Sequence, residues 1–110
     1  VRMAEVYRKE FAIAECPSDV ESPTVLAAQA ANELLDISGI KASFVLTIYE
    51  GKIYMSARSI DEVNVQVVAE KLGGGGHINA AGAQFDHTDM EEAIKALKQT
   101  IDKMIEEGDI

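Results

Sequence analysis

The chain of 110 residues contains a single cysteine, no tryptophan and two prolines, and only 5% of it is aromatic. One cysteine, Cys16, excludes an internal disulfide and a cysteine-built zinc site. It follows Ala12-Ile13-Ala14 in a strand-like run and reads as a buried reduced thiol, which fits a reducing cytoplasm. With so few aromatics there is little to stack a long single strand of nucleic acid upon. Basic side chains are scarce too: ten Lys and Arg stand against nineteen Asp and Glu, a net charge of -9. Such a surface does not neutralise the many phosphates of duplex DNA. No apolar stretch approaches the roughly 20 residues of a membrane span, and there is no secretory signal. Two histidines ten residues apart, His77 and His87, with one cysteine and scattered carboxylates form no metal-ligand spacing. No serine–histidine–acid arrangement is present either. The chain alone therefore reads as an incomplete catalyst, with no catalytic or metal-binding residue of its own. It opens mid-pattern at Val1, as a piece cut from something longer.

What is present is an ordinary globular composition, 47% hydrophobic and 26% charged, for one domain over residues 1–110. Residues 2–9 read as the end of a linker helix entering from upstream. Phe11–Cys16 reads as a short strand and Pro17–Ser22 as a loop. Ser22-Pro23 supplies an N-cap and a first-turn proline for a helix over Thr24–Ile37, stopped by Ser38-Gly39. Ala42–Glu50 alternates cleanly, Glu50-Gly51 reverses the chain, and Lys52–Ser59 forms the second arm of a hairpin. On that arm Tyr54, Ser56 and Arg58 share one face. Val63, Val67, Val68 and Leu72 mark a short helix opened by Asp61 or Asn64, with Asn64 taken as a cap. Ala81–Phe85 reads as a further strand. Thr88-Asp89-Met90-Glu91 is a capping box ahead of a long amphipathic helix ending at Gly108. The order predicts an α/β fold, with a small central sheet of about four to five strands and helices packed against it.

Half of the eight glycines fall in one run, Gly73-Gly74-Gly75-Gly76, followed by His77 and, two residues on, by Ala80-Ala81-Gly82-Ala83. Each glycine loses much backbone entropy on folding, so a run of four needs a cause. Both flanks are patterned, which argues against a linker, and a helix C-cap accounts for Gly73 alone. Neither a Walker nor a Rossmann pattern matches. Spacing alone leaves the run open between an anion-holding loop, a place of close approach, and an overrun cap. Charge is suggestive: residues 1–50 hold four basic and eight acidic side chains, residues 86–110 three and eight, and residues 51–85 three of each. The glycine segment is the one part that does not repel an anion. Arg58 can clamp a phosphate bidentately, with the Ser59 hydroxyl beside it, and His77 can donate to a phosphate or stack on a base. For each the plain alternative is a solvated surface residue. His87 has no such company and receives no role.

Taken together, Ala57-Arg58-Ser59, Asn64-Val65, Glu70-Lys71-Leu72-Gly73-Gly74-Gly75-Gly76-His77 and Ala80-Ala81-Gly82-Ala83 resemble the DHH-associated domain. This is the C-terminal substrate-binding module of DHH-family phosphoesterases. Ser56 to Gln66 and Ala81-Gly82-Ala83-Gln84 look most like the membrane-anchored cyclic-di-AMP phosphodiesterases of Gram-positive bacteria. The resemblance implies a nucleotide- or phosphate-binding module of an enzyme that hydrolyses cyclic di-AMP or short oligonucleotides. Arg58, Ser59, Gly74, Gly75, Gly76 and His77 would then bind substrate. It implies no cofactor in this chain, and manganese or another divalent ion in a DHH domain upstream. The implied location is a cytoplasmic domain of a membrane-anchored protein. Expected partners are the nucleotide and that upstream domain, with a second copy of the chain as a further candidate, and not duplex DNA. Two competing readings are a nucleic-acid-binding module of a single-strand exonuclease or nano-RNA degrading enzyme, and a dimerising or regulatory domain with a vestigial site.

Overall fold

A computed structural model of the chain describes residues 4–15, 23–60, 63–86 and 88–108. The expected thiol at Cys16, the loop through Ser22 with its N-cap, Asp61 and His87 lie outside those residues. Six strands form one sheet in the order β1-β2-β3-β4-β6-β5, and three helices pack on it. The strands are β1 (Glu5–Tyr7), β2 (Phe11–Glu15), β3 (Ala42–Tyr49), β4 (Lys52–Ser59), β5 (Gly75–His77) and β6 (Ala80–Phe85). The helices are α1 (Pro23–Leu34), α2 (Val65–Lys71) and α3 (Met90–Glu107). β2 and β3 are parallel and joined through α1, and every other neighbouring pair is antiparallel. The α/β expectation holds, with more strands than the four to five anticipated.

The hairpin forms as its alternation dictates. Tyr49 pairs with Lys52, and Glu50 and Gly51 both take positive φ (51° and 79°), the turn whose twist suits two strands. Period-2 patterning then divides the core into two layers. Phe44, Leu46, Ile53, Met55 and Ala57 turn toward α2 and α3, where Val65, Val68, Leu97 and Ile101 are buried with them. On the other side Ala12, Ala14 and Val45 pack against Ala27, Ala30, Ala31 and Leu34 of α1. Small alanines there bring α1 close, and the Ser43 hydroxyl donates to the Ala31 carbonyl at 2.5 Å. α1 ends at Leu34 rather than Ile37, because the next three amides bond i to i−3 and tighten the chain toward Gly39. α3 starts as its cap requires: the Asp89 carboxylate accepts from the Glu92 amide at 2.8 Å, one residue beyond the expected Thr88.

Two elements depart from expectation. Residues 5–7 form a strand at the sheet edge, where the end of a linker helix was predicted. The chain reverses between β1 and β2 through Arg8 and Lys9, both at positive φ (54° and 69°). Neither residue favours that region, so the turn requires an anchor. α3 supplies it: Tyr7 Oη donates to the Asp102 carboxylate at 2.7 Å, Arg8 Nε pairs with it at 3.0 Å, and Lys98 pairs with Glu5 at 3.0 Å. The second departure is β5, which the glycine run builds in place of an open loop.

Candidate functional site: an open shelf on the sheet

The four glycines divide by what their backbone must do. α2 ends in paired caps: the Gly73 amide donates to the Glu70 carbonyl at 3.1 Å and the Gly74 amide to the Ala69 carbonyl at 2.7 Å. That closure needs a left-handed residue, and Gly73 has φ +91°. A Cβ on Gly74 would strike the Gly82 carbonyl oxygen and lie 2.6 Å from Ala83 Cα. Gly76 combines φ +144° with the same crowding, 2.5 Å from Ala81 Cα. Gly75 alone is free of both constraints: its φ is unexceptional, and nothing lies within 4 Å of where its Cβ would be.

Register then sets which residues share a face. β4 pairs with β6 through Arg58↔Ala80, Ser56↔Gly82 and Tyr54↔Gln84. β6 pairs with β5 through Ala80↔His77 and Gly82↔Gly75. Directly paired antiparallel residues point to the same side of the sheet. One face therefore carries three rows: Arg58, Ala80 and His77; then Ser56, Gly82 and Gly75; then Tyr54 and Gln84. α1 packs over β3 and β4 on this side, and the rows are half-exposed or exposed at every position. At about 4.8 Å per strand, the Arg58 and His77 backbones stand roughly 10 Å apart across β6. The result is a shelf with a floor of glycine, alanine and serine, and with cationic and imidazole groups along one margin. Arg58 Nη1 donates to the Ala57 carbonyl at 2.8 Å, which leaves the rest of its guanidinium fork free for a ligand.

The predicted site residues thus separate. Arg58, Gly75 and His77 meet on the shelf. Gly74 and Gly76 shape it from behind, by drawing β5 against β6, and the Gly74 amide is committed to the helix cap. Ser59 alternates to the opposite side and is only 6% exposed. Its hydroxyl donates to the Val63 carbonyl at 2.6 Å and accepts from Asn79 Nδ2 at 2.9 Å. Its amide donates to the Asn79 carbonyl at 3.0 Å. Ser59 therefore fastens the end of β4, which carries Arg58, to the turn that carries His77. Asn64 caps α2 as expected, its side chain accepting from the Val67 amide at 3.2 Å. Sequence reasoning did not place Ser56, Tyr54 or Gln84 at the site, although their shared face with Arg58 was already legible in the alternation.

Among the described residues no three His, Cys, Asp or Glu side chains converge to hold a metal ion. No helix among them is long and apolar enough to cross a membrane.

Comparison with known proteins places the same residues in a family. A family model described as the DHHA1 domain matches residues 9–106. The cyclic-di-AMP phosphodiesterase PdeA of Listeria monocytogenes is 46% identical over 103 residues, which cover 93% of this chain and 16% of that protein. The cyclic-di-AMP phosphodiesterase GdpP of Bacillus subtilis is 42% identical over 106 residues, covering 94% of this chain and 16% of its own. Among solved structures, an exopolyphosphatase-related protein from Bacteroides fragilis superposes with a TM-score of 0.77 at 25% identity, covering 92% of this chain and 31% of that one. The chain spans about a sixth of the length of the curated relatives it matches.

Proposed function

The chain belongs to the DHHA1 domain family, and from that premise we propose that it is the substrate-binding module of a DHH-type phosphodiesterase acting on cyclic di-AMP or short oligonucleotides. One observation carries the reading: Arg58 and His77 flank a floor of small residues on an exposed sheet face, within a chain that is otherwise acidic. A phosphate lying across Ala80 would receive the Arg58 fork from one side and His77 from the other. As an edge strand, β5 also directs alternate backbone groups away from the sheet, where a ligand can meet them. Ser59 and Gly74 position these groups rather than touch substrate.

In this reading the nucleophile, and a divalent ion such as manganese, belong to a DHH domain upstream that closes over the shelf. The parent protein would be membrane-anchored, with this module on the cytoplasmic side. The module contributes binding and orientation of the phosphodiester, which holds the scissile bond for attack.

Hydrolysis of cyclic di-AMP by the full-length protein tests the proposal. Arg58→Ala and His77→Ala should each raise KM about tenfold or more, the scale of a lost hydrogen bond to a charged group. Melting of this chain should be unchanged, since neither side chain is buried. Wild-type KM and kcat in both variants would overturn the assignment.

A further inference from the structure

The third row of the shelf plays no part in holding a phosphate. Tyr54 lies four residues before Arg58 on β4, on the same face, and pairs directly with Gln84. Tyr54 is half-buried and Gln84 exposed. Tyr49 stands beside Tyr54 with ring centroids 6.2 Å apart and planes inclined at 58°, and is itself 39% exposed. Three aromatic residues in the chain are tyrosines, and two of them meet here. Between this pair and Arg58 the floor is Ser56 and Gly82, too small to obstruct anything lying along it.

Length decides what such a surface accommodates. At about 3.3 Å per residue, the Tyr54 and Arg58 backbones are roughly 13 Å apart. A bare phosphate reaches only the Arg58 row. A ligand that uses both ends has an anionic group, a spacer of sugar size and a flat ring. Building on the phosphate reading above, we infer that Tyr54, braced by Tyr49, and Gln84 form the platform for an adenine base whose nucleotide phosphate lies at Arg58 and His77.

The aromatic surface supplies stacking to any base. Gln84 supplies the choice. Its Nε2 donates to Asp86 Oδ1 at 2.9 Å, which fixes which end of the amide is nitrogen. One N–H and the carbonyl oxygen remain for a ligand. A donor beside an acceptor matches adenine, where N7 accepts and the N6 amino group donates. Guanine presents two acceptors on that edge, N7 and O6, and leaves the Gln84 carbonyl oxygen opposite a like group.

Amide chemical shifts of this chain, recorded with ribose 5-phosphate, adenosine, AMP and GMP, separate the two ideas. Ribose 5-phosphate should move residues 58 and 75–77 alone, adenosine residues 54 and 84, and AMP both sets. Tyr54→Leu, which keeps an apolar side chain in place, should weaken AMP about tenfold and leave ribose 5-phosphate unchanged. Gln84→Ala should remove the preference for AMP over GMP. Absence of shifts at 54 and 84 with both adenosine and AMP overturns the platform, whatever the phosphate does. Wild-type AMP affinity in Tyr54→Leu overturns it equally. Shifts at 54 and 84 with adenosine, but none at 75–77 with ribose 5-phosphate, would keep the platform and overturn the phosphate row instead.

Discussion

Replacing Gly75 by alanine should make the domain more stable and a worse binder. Most glycine substitutions in a tight loop do the reverse, and the sign follows from geometry. Gly75 has an unexceptional φ and no atom within 4 Å of its would-be Cβ, so the folded state accepts a methyl group without strain. The unfolded chain loses conformational freedom, a gain of about 0.4–1 kcal/mol for the native state. For a domain of this size that corresponds to a rise in Tm of roughly 2–5 °C. The same methyl group stands on the shelf, in the row between Arg58 and Tyr54, where the ligand must lie. Overfilling a packed contact costs on the order of 1–3 kcal/mol, so nucleotide affinity should fall about 5- to 150-fold. Gly74→Ala and Gly76→Ala are the controls. The first drives Cβ onto the Gly82 carbonyl, and the second adds a left-handed φ to a 2.5 Å approach to Ala81 Cα. Both should lower Tm by many degrees. Thermal melts by circular dichroism, with AMP titration of the folded variants, give both numbers. Gly75→Ala with wild-type affinity would show that the ligand does not lie on this face, and a lowered Tm would refute the account of the run itself.

Two further outcomes follow from side chains that hold the shelf and the sheet edge. Ser59→Ala should destabilise the chain by about 0.5–1.5 kcal/mol, because it removes the hydrogen bonds of the part-buried Val63 carbonyl and Asn79 Nδ2 to this hydroxyl. Urea unfolding measures the loss, and a change within 0.3 kcal/mol would contradict the latch. In the folded variant nucleotide affinity should also weaken, since the turn bearing His77 is no longer tied to the end of β4. The Tyr7 phenol is held above its usual pKa, first by its hydrogen bond to the Asp102 carboxylate and then by burial. A raised folded-state pKa means the associated stability is full below the unfolded tyrosine value near 10 and is lost as pH climbs through the higher folded one. Melts between pH 9 and 11.5 should therefore fall more steeply in the wild type than in Tyr7→Phe, and parallel curves would remove Tyr7 from the account.

How much of this was legible in the chain depends on whether the cause was local. The β3–β4 hairpin was readable because its alternation and its Glu50-Gly51 turn are neighbours in sequence. α3 was readable because Ala93, Leu97, Ile101 and Met104 recur at helical spacing and are buried together. β1 was not, since its reversal uses Arg8 and Lys9 at positive φ and is held by Asp102, more than ninety residues away. β5 was not, because glycine has little preference for strands and its pairing depends on the small residues of β6. Arg58, Ser59 and His77 were all nominated from residue type and resemblance, and the structure brings Arg58 and His77 to one face of the sheet while turning Ser59 to the other. The alternation that put Tyr54, Ser56 and Arg58 on one side already put Ser59 on the other.

The same alternation bears on how an acidic chain could hold an anion, as proposed above. Five of the acidic residues, Glu91, Glu92, Asp102, Glu106 and Glu107, lie on α3, and α3 packs on the face of the sheet opposite the shelf. The sheet lies between them and the face that carries Arg58. At Arg58 and His77 an incoming phosphate would meet the first two rows of the shelf, which contain no carboxylate, whereas Asp86 stands beside the third, bonded to Gln84. Within the glycine run, strand parity makes the same division. Gly74 and Gly76 turn toward the packed side and let β5 lie close on β6, while Gly75 turns toward the shelf and keeps it clear. A loop of four glycines could bend around an anion but would have to be ordered each time one bound. A strand fixed by its neighbours has met that entropic cost in folding, so in the proposed reading selectivity would be set by the side chains it aligns rather than by the run alone.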